Sequence, residues 1–253
     1  MTVFDSINRS GLMGRLAVGG YADGGGLATV ERVPLLLPTR QEIDAERGRA
    51  EWLDAPGPRG WYMTSDSVYE RLRPYVPTIV APRWSVARTM VPCWKCRRDT
   101  DVCAVCVRVP TGWLYSTPDD PEWVASMPEI AREGSLNVWN MWESLPCVVA
   151  IAYLTRINGS AAKDLQHICP GYHPDRSREA GGSYWMNHCE HCAAKQGDDY
   201  LHGTDVGPGK FLPMNEDAAA HIQFRDVDSL LVARGILDYG DAPLAYIGAC
   251  AKW

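Results

Sequence analysis

A chain of 253 residues with 46% apolar and 22% charged side chains is long enough to bury one large or two small hydrophobic cores. Its net charge of −6 and pI near 5.5 exclude a protein whose whole surface is basic and drawn to nucleic acid or anionic membranes. The longest apolar run, residues 147–154, is too short to span a bilayer. The first residues lack the segments of a signal peptide, so we expect a cytoplasmic protein with no membrane partner.

The N-terminal part of the chain, residues 1–77, is predicted to be a small mixed region. Its glycines are clustered rather than spaced as in a dinucleotide-binding loop, so they predict a mobile arm. The predicted elements are, in order, this arm over residues 1–30, a strand within 30–37, a helix from the Thr39–Glu42 capping box to about Leu53, and a short helix over 65–73.

From residue 78 to residue 253 the pattern changes to short apolar runs of strand length, which predicts a mainly antiparallel β region. With the N-terminal helices this makes the fold class α+β. The predicted strands cover residues 79–90 with a break near Pro82, 102–109, 113–115, 136–142, 147–157, 223–227, 230–232 and 244–249, and a helix is the alternative for 147–157. A short helix capped by Ser160 runs through Ile168, a turn and strand over 181–186 lead into the third cysteine pair, and turns are predicted at Gly235 and Gly240.

Nine cysteines in a long chain that we expect in the cytoplasm indicate metal binding rather than a disulfide framework. Six of them form three Cys-x-x-Cys pairs, which are Cys93–Cys96, Cys103–Cys106 and Cys189–Cys192. A structural zinc ion takes four ligands, so two pairs must combine. The split arrangement uses Cys93, Cys96, Cys189 and Cys192, and the local one uses Cys93, Cys96, Cys103 and Cys106.

The residues around each pair favour the split arrangement. The first and third pairs are followed by residues that tolerate a tight turn, whereas Cys103 and Cys106 lie in a strand-like run. Residues three apart in a strand point to opposite faces, so these two are predicted to be buried strand thiols. A structural Zn²⁺ held by the split site turns residues 97–188 into an insertion between two knuckles. The local site, His188 or His191 as a replacement ligand, an iron–sulfur centre and a redox-active pair remain alternatives.

Three segments together resemble poorly characterised bacterial proteins with a split, four-cysteine zinc ribbon. They are residues 91–96 (VPCWKC), 181–192 (GGSYWMNHCEHC) and 197–202 (GDDYLH). The resemblance covers roughly residues 90–110 and 175–205, and it implies a zinc fold but no reaction. This chain has Ala193 where the family usually has glycine, and cysteine at positions 103 and 106 where the family often has apolar residues.

The densest polar cluster follows the second knuckle and contains Asp198, Asp199, His202 and Asp205. These side chains are of the types that hold a catalytic metal ion or act as acid and base in a hydrolase or nuclease. No recognised catalytic spacing accompanies them, so the simpler interpretation is a polar turn in which an aspartate caps a short helix.

Three functional hypotheses follow. The leading one is a non-enzymatic, zinc-binding protein that interacts with another macromolecule, with the tryptophan-rich N-terminal half as the candidate surface for a protein partner. The second is the hydrolase or nuclease. The third is local, salt-sensitive nucleic-acid binding through Trp94, Lys95, Arg97 and Arg98 of the first knuckle.

Overall fold

The structure of the protein is a computed structural model that describes residues 17–18, 27–29, 33–37, 47–53, 60–63, 72–81, 83–107, 113–115, 142–144, 149–202, 209–211, 215–239 and 251–253. The chain divides into two compact units, the first made of residues 1–79 and 113–144 and the second of residues 80–112 and 145–253. The domain boundary predicted at residue 77 stays a prediction. None of the helices in the described ranges combines the length and apolar character needed to cross a membrane.

Strands dominate the described part of the chain and are mainly antiparallel, as predicted for the region from residue 78 onward within an α+β fold. The strands are Ala17–Val18 (β1), Leu27–Thr29 (β2), Val33–Pro34 (β3), Glu51–Leu53 (β4), Gly60–Met63 (β5), Ile79–Ala81 (β6), Trp84–Pro92 (β7), Asp99–Val107 (β8), Trp113–Tyr115 (β9), Trp142–Ser144 (β10), Val149–Ile157 (β11), Tyr172–Arg176 (β12), Ser183–His188 (β13), Lys195–Gln196 (β14), Gln223–Val227 (β15), Leu231–Tyr239 (β16) and Ala251–Lys252 (β17). The helices are Gly159–Ile168 (α1), Asp198–Leu201 (α2) and Glu216–Ala220 (α3), with a 3₁₀ turn at Arg73–Tyr75.

The first unit contains two small groups of strands, in the orders β1-β2-β10-β9 and β3-β5-β4. Strands β1 and β2 lie where the sequence predicted a mobile arm. The prediction that a helix runs to about Leu53 is wrong, because β4 pairs with β5 through Trp52 opposite Trp61. Their indole rings meet edge to face at 5.5 Å, a cross-strand aromatic contact that outweighs the helical pattern of the charged residues. The Thr39–Glu42 capping box lies outside the described residues.

The second unit is built on a sheet with the order β6-β16-β11-β8-β7-β15-β17 and on a smaller sheet, β12-β13-β14. Strands β7 and β8 form a long antiparallel hairpin whose tip is residues 93–98, the first knuckle. Strands β12, β13 and β14 are also antiparallel, and the turn between β13 and β14 is the second knuckle. The β15–β17 pair is parallel. The predicted strand over 244–249 lies outside the described residues.

Strand β11 contains a bulge beside Gly235 of β16. The register of the β11–β16 pair shifts between Ala152 and Arg156, and Tyr153 adopts a positive φ of 47°. A Cβ at Gly235 would lie 2.5 Å from Ile151 Cγ2 and 2.8 Å from the Ala152 carbonyl oxygen. The predicted turn at Gly235 is therefore wrong, because this glycine lets two strands approach at a bulge.

The two cysteines of β8 lie on opposite faces of the strand and therefore have different partners. Cys106 packs with Val102 and Ala104 in the core cluster that also holds Phe224 of β15. Cys103 points to the other face and forms a disulfide with Cys169, the residue after α1. The prediction of two buried strand thiols is thus correct for Cys106 and wrong for Cys103. Alternation along the strand placed them on opposite faces, but it gave no sign of the partner at residue 169.

Candidate metal centre

The first knuckle is a tight turn at the tip of the β7–β8 hairpin. The Arg97 N–H donates to the Cys93 carbonyl, and the Cys93 N–H donates to the Arg98 carbonyl, each at 2.9 Å. Arg97 closes the turn with a left-handed φ of 64°. This conformation curls the backbone around the two cysteines, so that both sulfurs point to the same side.

The backbone of the second knuckle makes the same two hydrogen bonds as that of the first. The Ala193 N–H donates to the Cys189 carbonyl at 2.8 Å, and the Cys189 N–H donates to the Ala194 carbonyl at 2.9 Å. Ala193 has a φ of 56°, matching the position of Arg97 in the first turn. Glycine adopts this conformation at no steric cost, which is the physical reason to expect glycine at such a position. Two distant segments have therefore formed one local structure.

The four sulfurs of the two knuckles form one compact group. Cys93 Sγ lies 3.7 Å from Cys192 Sγ, Cys96 Sγ lies 3.7 Å from Cys189 Sγ, and all four atoms lie within 4.8 Å of one another. Sulfurs at about 2.3 Å from a tetrahedral zinc ion are about 3.8 Å apart, so the observed spacing fits that geometry. Within the described ranges, no other group of three or more cysteine, histidine or carboxylate side chains has the spacing of metal ligands.

Two of the four thiols have pKa values shifted in opposite directions. Burial opposes ionisation of Cys93, but the amide groups of Cys96 and Lys95 and two neighbouring thiols donate to its sulfur and lower its pKa to about 6. Cys192 accepts from the Ala194 amide, yet burial and the three surrounding sulfurs raise its pKa to about 11. The surroundings therefore favour the thiolate of Cys93 and disfavour that of Cys192. A divalent cation at the centre removes this conflict and favours full deprotonation.

Polar side chains brace the cluster from the second knuckle. Gln196 of β14 is buried and donates its amide to Cys93 Sγ at 3.4 Å. Asn187 at the end of β13 is buried and makes two hydrogen bonds to Cys103 of β8, accepting from its N–H at 2.7 Å and donating to its carbonyl at 2.9 Å. These bonds fix the hairpin of the second knuckle against the strand that follows the first, which sets the distance between the cysteine pairs.

The two histidines of the second knuckle lie outside the sulfur group. His188 Nε2 lies 3.1 Å from Asp175 Oδ2, and its Nδ1 lies 3.2 Å from the Gly171 carbonyl oxygen. The contact of His188 with the Asp175 carboxylate, and after it the contact of Lys195, holds the pKa of Asp175 well below its usual range. His191 Nε2 contacts the Asp99 carbonyl oxygen at 2.9 Å. Both histidines therefore support neighbouring backbone, and neither replaces a cysteine ligand.

The alternative local site is not formed, since Cys103 is bound in the disulfide and Cys106 faces the core. Cysteine 169 and its pairing were missed by the sequence analysis because a lone cysteine after a helix carries no spacing signal. The structure instead brings together the four cysteines of the split arrangement.

The polar cluster after the second knuckle is not an open site in the described residues. Asp198 is buried, accepts from the Tyr153 N–H at 2.6 Å through Oδ2, and has no partner for Oδ1. Asp199 is exposed and accepts from the Tyr153 hydroxyl. His202 is buried with Nδ1 at 3.3 Å from Asp238 Oδ2, too poorly aligned for a hydrogen bond. Asp205 lies outside the described residues.

The role of Asp198 is structural in this geometry. It stands at the start of α2, and its carboxylate caps the backbone of the β11 bulge. Burial raises its pKa to about 6 despite the opposing effects of His202 and the Tyr153 N–H. The prediction that an aspartate caps the short helix is wrong, because Gly197 is the N-cap of α2 and no side-chain hydrogen bond caps it. The Asp198 carboxylate instead serves a bulge 45 residues away, for which the sequence carries no signal.

No protein-family model matches the chain, and comparisons with curated proteins and with solved structures find no match either.

Proposed function

We propose that the protein is a non-enzymatic module that binds another macromolecule and that its four-cysteine site holds a structural zinc ion. The observation that carries this proposal is the closed group of four sulfurs with tetrahedral spacing. Four protein ligands leave no coordination position for water or substrate, which is the arrangement of a structural and not a catalytic zinc site. The ion would hold the two knuckles together and so fix the surface that surrounds them.

The knuckles supply the surface for the partner in this proposal. Trp94 of the first knuckle is 60% exposed, whereas Trp61, Trp84 and Trp185 are buried. An exposed tryptophan on a rigid turn is a typical anchor for a macromolecular interface. In the same half of the chain Trp61 and Trp84 are buried and Trp52 is half-buried against Trp61, so within the tryptophan-rich N-terminal half we propose the knuckle with Trp94 as the surface. The hydrolase alternative lacks comparable support, because Asp198, Asp199 and His202 do not form a group with metal-ligand spacing.

The test is affinity capture with the zinc-loaded full chain from an extract of the organism that encodes it. The parent is compared with a Lys95→Glu, Arg97→Glu variant and with a matched control, Lys163→Glu, Arg178→Glu, that reverses two exposed charges away from the knuckles. We expect species that the parent and the control retain and the knuckle variant loses. If no captured species distinguishes the knuckle variant from the control, the proposed function is wrong.

A further inference from the structure

The two knuckles have the same backbone structure but different side chains at matching positions. The comparison shows which side chains the turn does not require. Both turns have the same hydrogen bonds and the same left-handed position. Where the first knuckle has Arg97 and Arg98, the second has Ala193 and Ala194. The turn therefore forms without a cationic side chain at either position. A left-handed conformation also disfavours arginine relative to glycine, so local stability does not explain Arg97.

The cationic side chains of the first knuckle face solvent. Lys95, Arg97 and Arg98 are all exposed, and within the described ranges none of them forms an ion pair with a carboxylate. Arg98 reaches only the carbonyl oxygen of His191, at 3.5 Å. Ion pairing within the fold therefore does not explain these three charges.

Two carboxylates, of residues in or directly after the knuckles, reduce the positive potential of this surface. Asp99 follows the knuckle directly and is exposed, and the Glu190 carboxylate lies 3.4 Å from His191 Nε2. Three cations against two carboxylates leave a small positive excess on a chain of net charge −6. Such a surface suits an anionic ligand that contacts only a few residues. The remaining, acidic part of the chain repels a long polyanion.

Trp94 stands beside these cations in a fixed orientation. Its indole N–H donates to the carbonyl of Lys195 in β14 at 2.7 Å, while 60% of the side chain stays exposed. The hydrogen bond removes rotational freedom and leaves ring surface open. An aromatic ring held by a hydrogen bond, next to guanidinium groups that form no ion pair within the described ranges, offers stacking and phosphate contacts at one place.

From these observations we infer that the face formed by Trp94, Lys95, Arg97 and Arg98 binds single-stranded nucleic acid. Phosphates contact the three cations and one base stacks on the indole. This inference rests on the proposed function, since it names the partner of the same surface. A single strand fits better than a duplex, because stacking needs an unpaired base and the knuckle is a compact turn rather than a helix or ribbon that fills a groove.

The experiment measures fluorescence anisotropy of 12-nucleotide single strands of DNA and RNA, and of the matching duplex, with the zinc-loaded full chain. Three phosphate contacts predict a slope of log affinity against log salt of about −2 for a single strand. Arg97→Ala with Arg98→Ala copies the second knuckle, so it should keep the zinc and reduce the slope to about −0.7. Trp94→Ala should weaken binding roughly tenfold or more with little change in slope, and Trp94→Phe should recover part of the loss.

Lys163→Ala with Arg178→Ala is the control, because it removes two exposed charges from α1 and from the far end of the β12–β13 hairpin. It should bind as the parent does. The inference is overturned if the control loses as much affinity as the arginine variant, if Trp94→Ala binds normally, or if inorganic polyphosphate of equal charge binds as tightly as the oligonucleotide. If no oligonucleotide binds while capture of a host protein still depends on the knuckle, this inference fails and the proposed function stands.

Discussion

Replacing Ala193 with glycine should stabilise the protein. Ala193 is exposed and holds a φ of 56° in the second knuckle, a conformation that costs a non-glycine residue about 1–2 kcal/mol. Glycine removes this strain but gains about 0.5–1 kcal/mol of conformational freedom in the unfolded chain. The net expectation is an increase of about 0.5–1 kcal/mol in the free energy of unfolding. For a chain of this size that corresponds to a rise in Tm of roughly 1–4 °C.

The assay is thermal unfolding followed by circular dichroism at one fixed concentration of free zinc, because metal binding shifts the apparent Tm. Ala194→Gly is the matched control, since Ala194 is buried and its backbone is not left-handed. The control should lower stability by about 1 kcal/mol through the lost methyl group and the added flexibility. A destabilised Ala193→Gly variant alongside the expected control would refute the account of the knuckle backbone.

Two further predictions concern the elements around the metal centre. Cys103→Ser should lower the free energy of unfolding of the oxidised protein by about 4 kcal/mol, as expected for a disulfide between residues 66 apart, and by much less under reducing conditions; denaturant unfolding with and without reductant checks this. The pKa of Asp198 is raised to about 6 in the folded protein, so the folded state binds this proton more tightly than the unfolded state. Stability should therefore fall by about 2–3 kcal/mol as the pH rises from about 4 through 6. Asp198→Asn should remove that slope and be more stable than the parent above pH 7; an unchanged pH profile would show that another group is responsible.

The sequence predicted that the two knuckles pair, because the residues directly around each cysteine pair determine its local structure. The pairs Cys93–Cys96 and Cys189–Cys192 are each followed by residues that accept a tight turn, whereas strand alternation separates Cys103 from Cys106. The strand Gln223–Val227 was predicted with its observed bounds, and the helix Gly159–Ile168 with its observed end. The predicted cap at Ser160 is wrong, because Asn158 is the N-cap. These elements depend on patterns that short segments carry by themselves.

Other features depend on contacts between distant segments and left no local signal. The disulfide joins Cys103 to Cys169, which directly follows a helix. Position 235 has room only for glycine because the bulged strand β11 lies against it. Arg47 is helical, but the helix does not reach Leu53 as predicted, because residues 51–53 form a strand in which Trp52 packs on Trp61. In each case tertiary packing selected a structure that the local pattern did not favour.

The most direct test of the central claim is the zinc content per chain of the parent and of a Cys189→Ser, Cys192→Ser double variant. Cys103→Ser serves as the control that removes a cysteine outside the sulfur group. We expect one zinc in the parent and in the control, and none in the double variant, which should also lose much of its stability because a four-cysteine site contributes on the order of 10 kcal/mol. A double variant that retains its zinc and its fold would contradict the four-sulfur centre and, with it, the proposed surface that this centre supports.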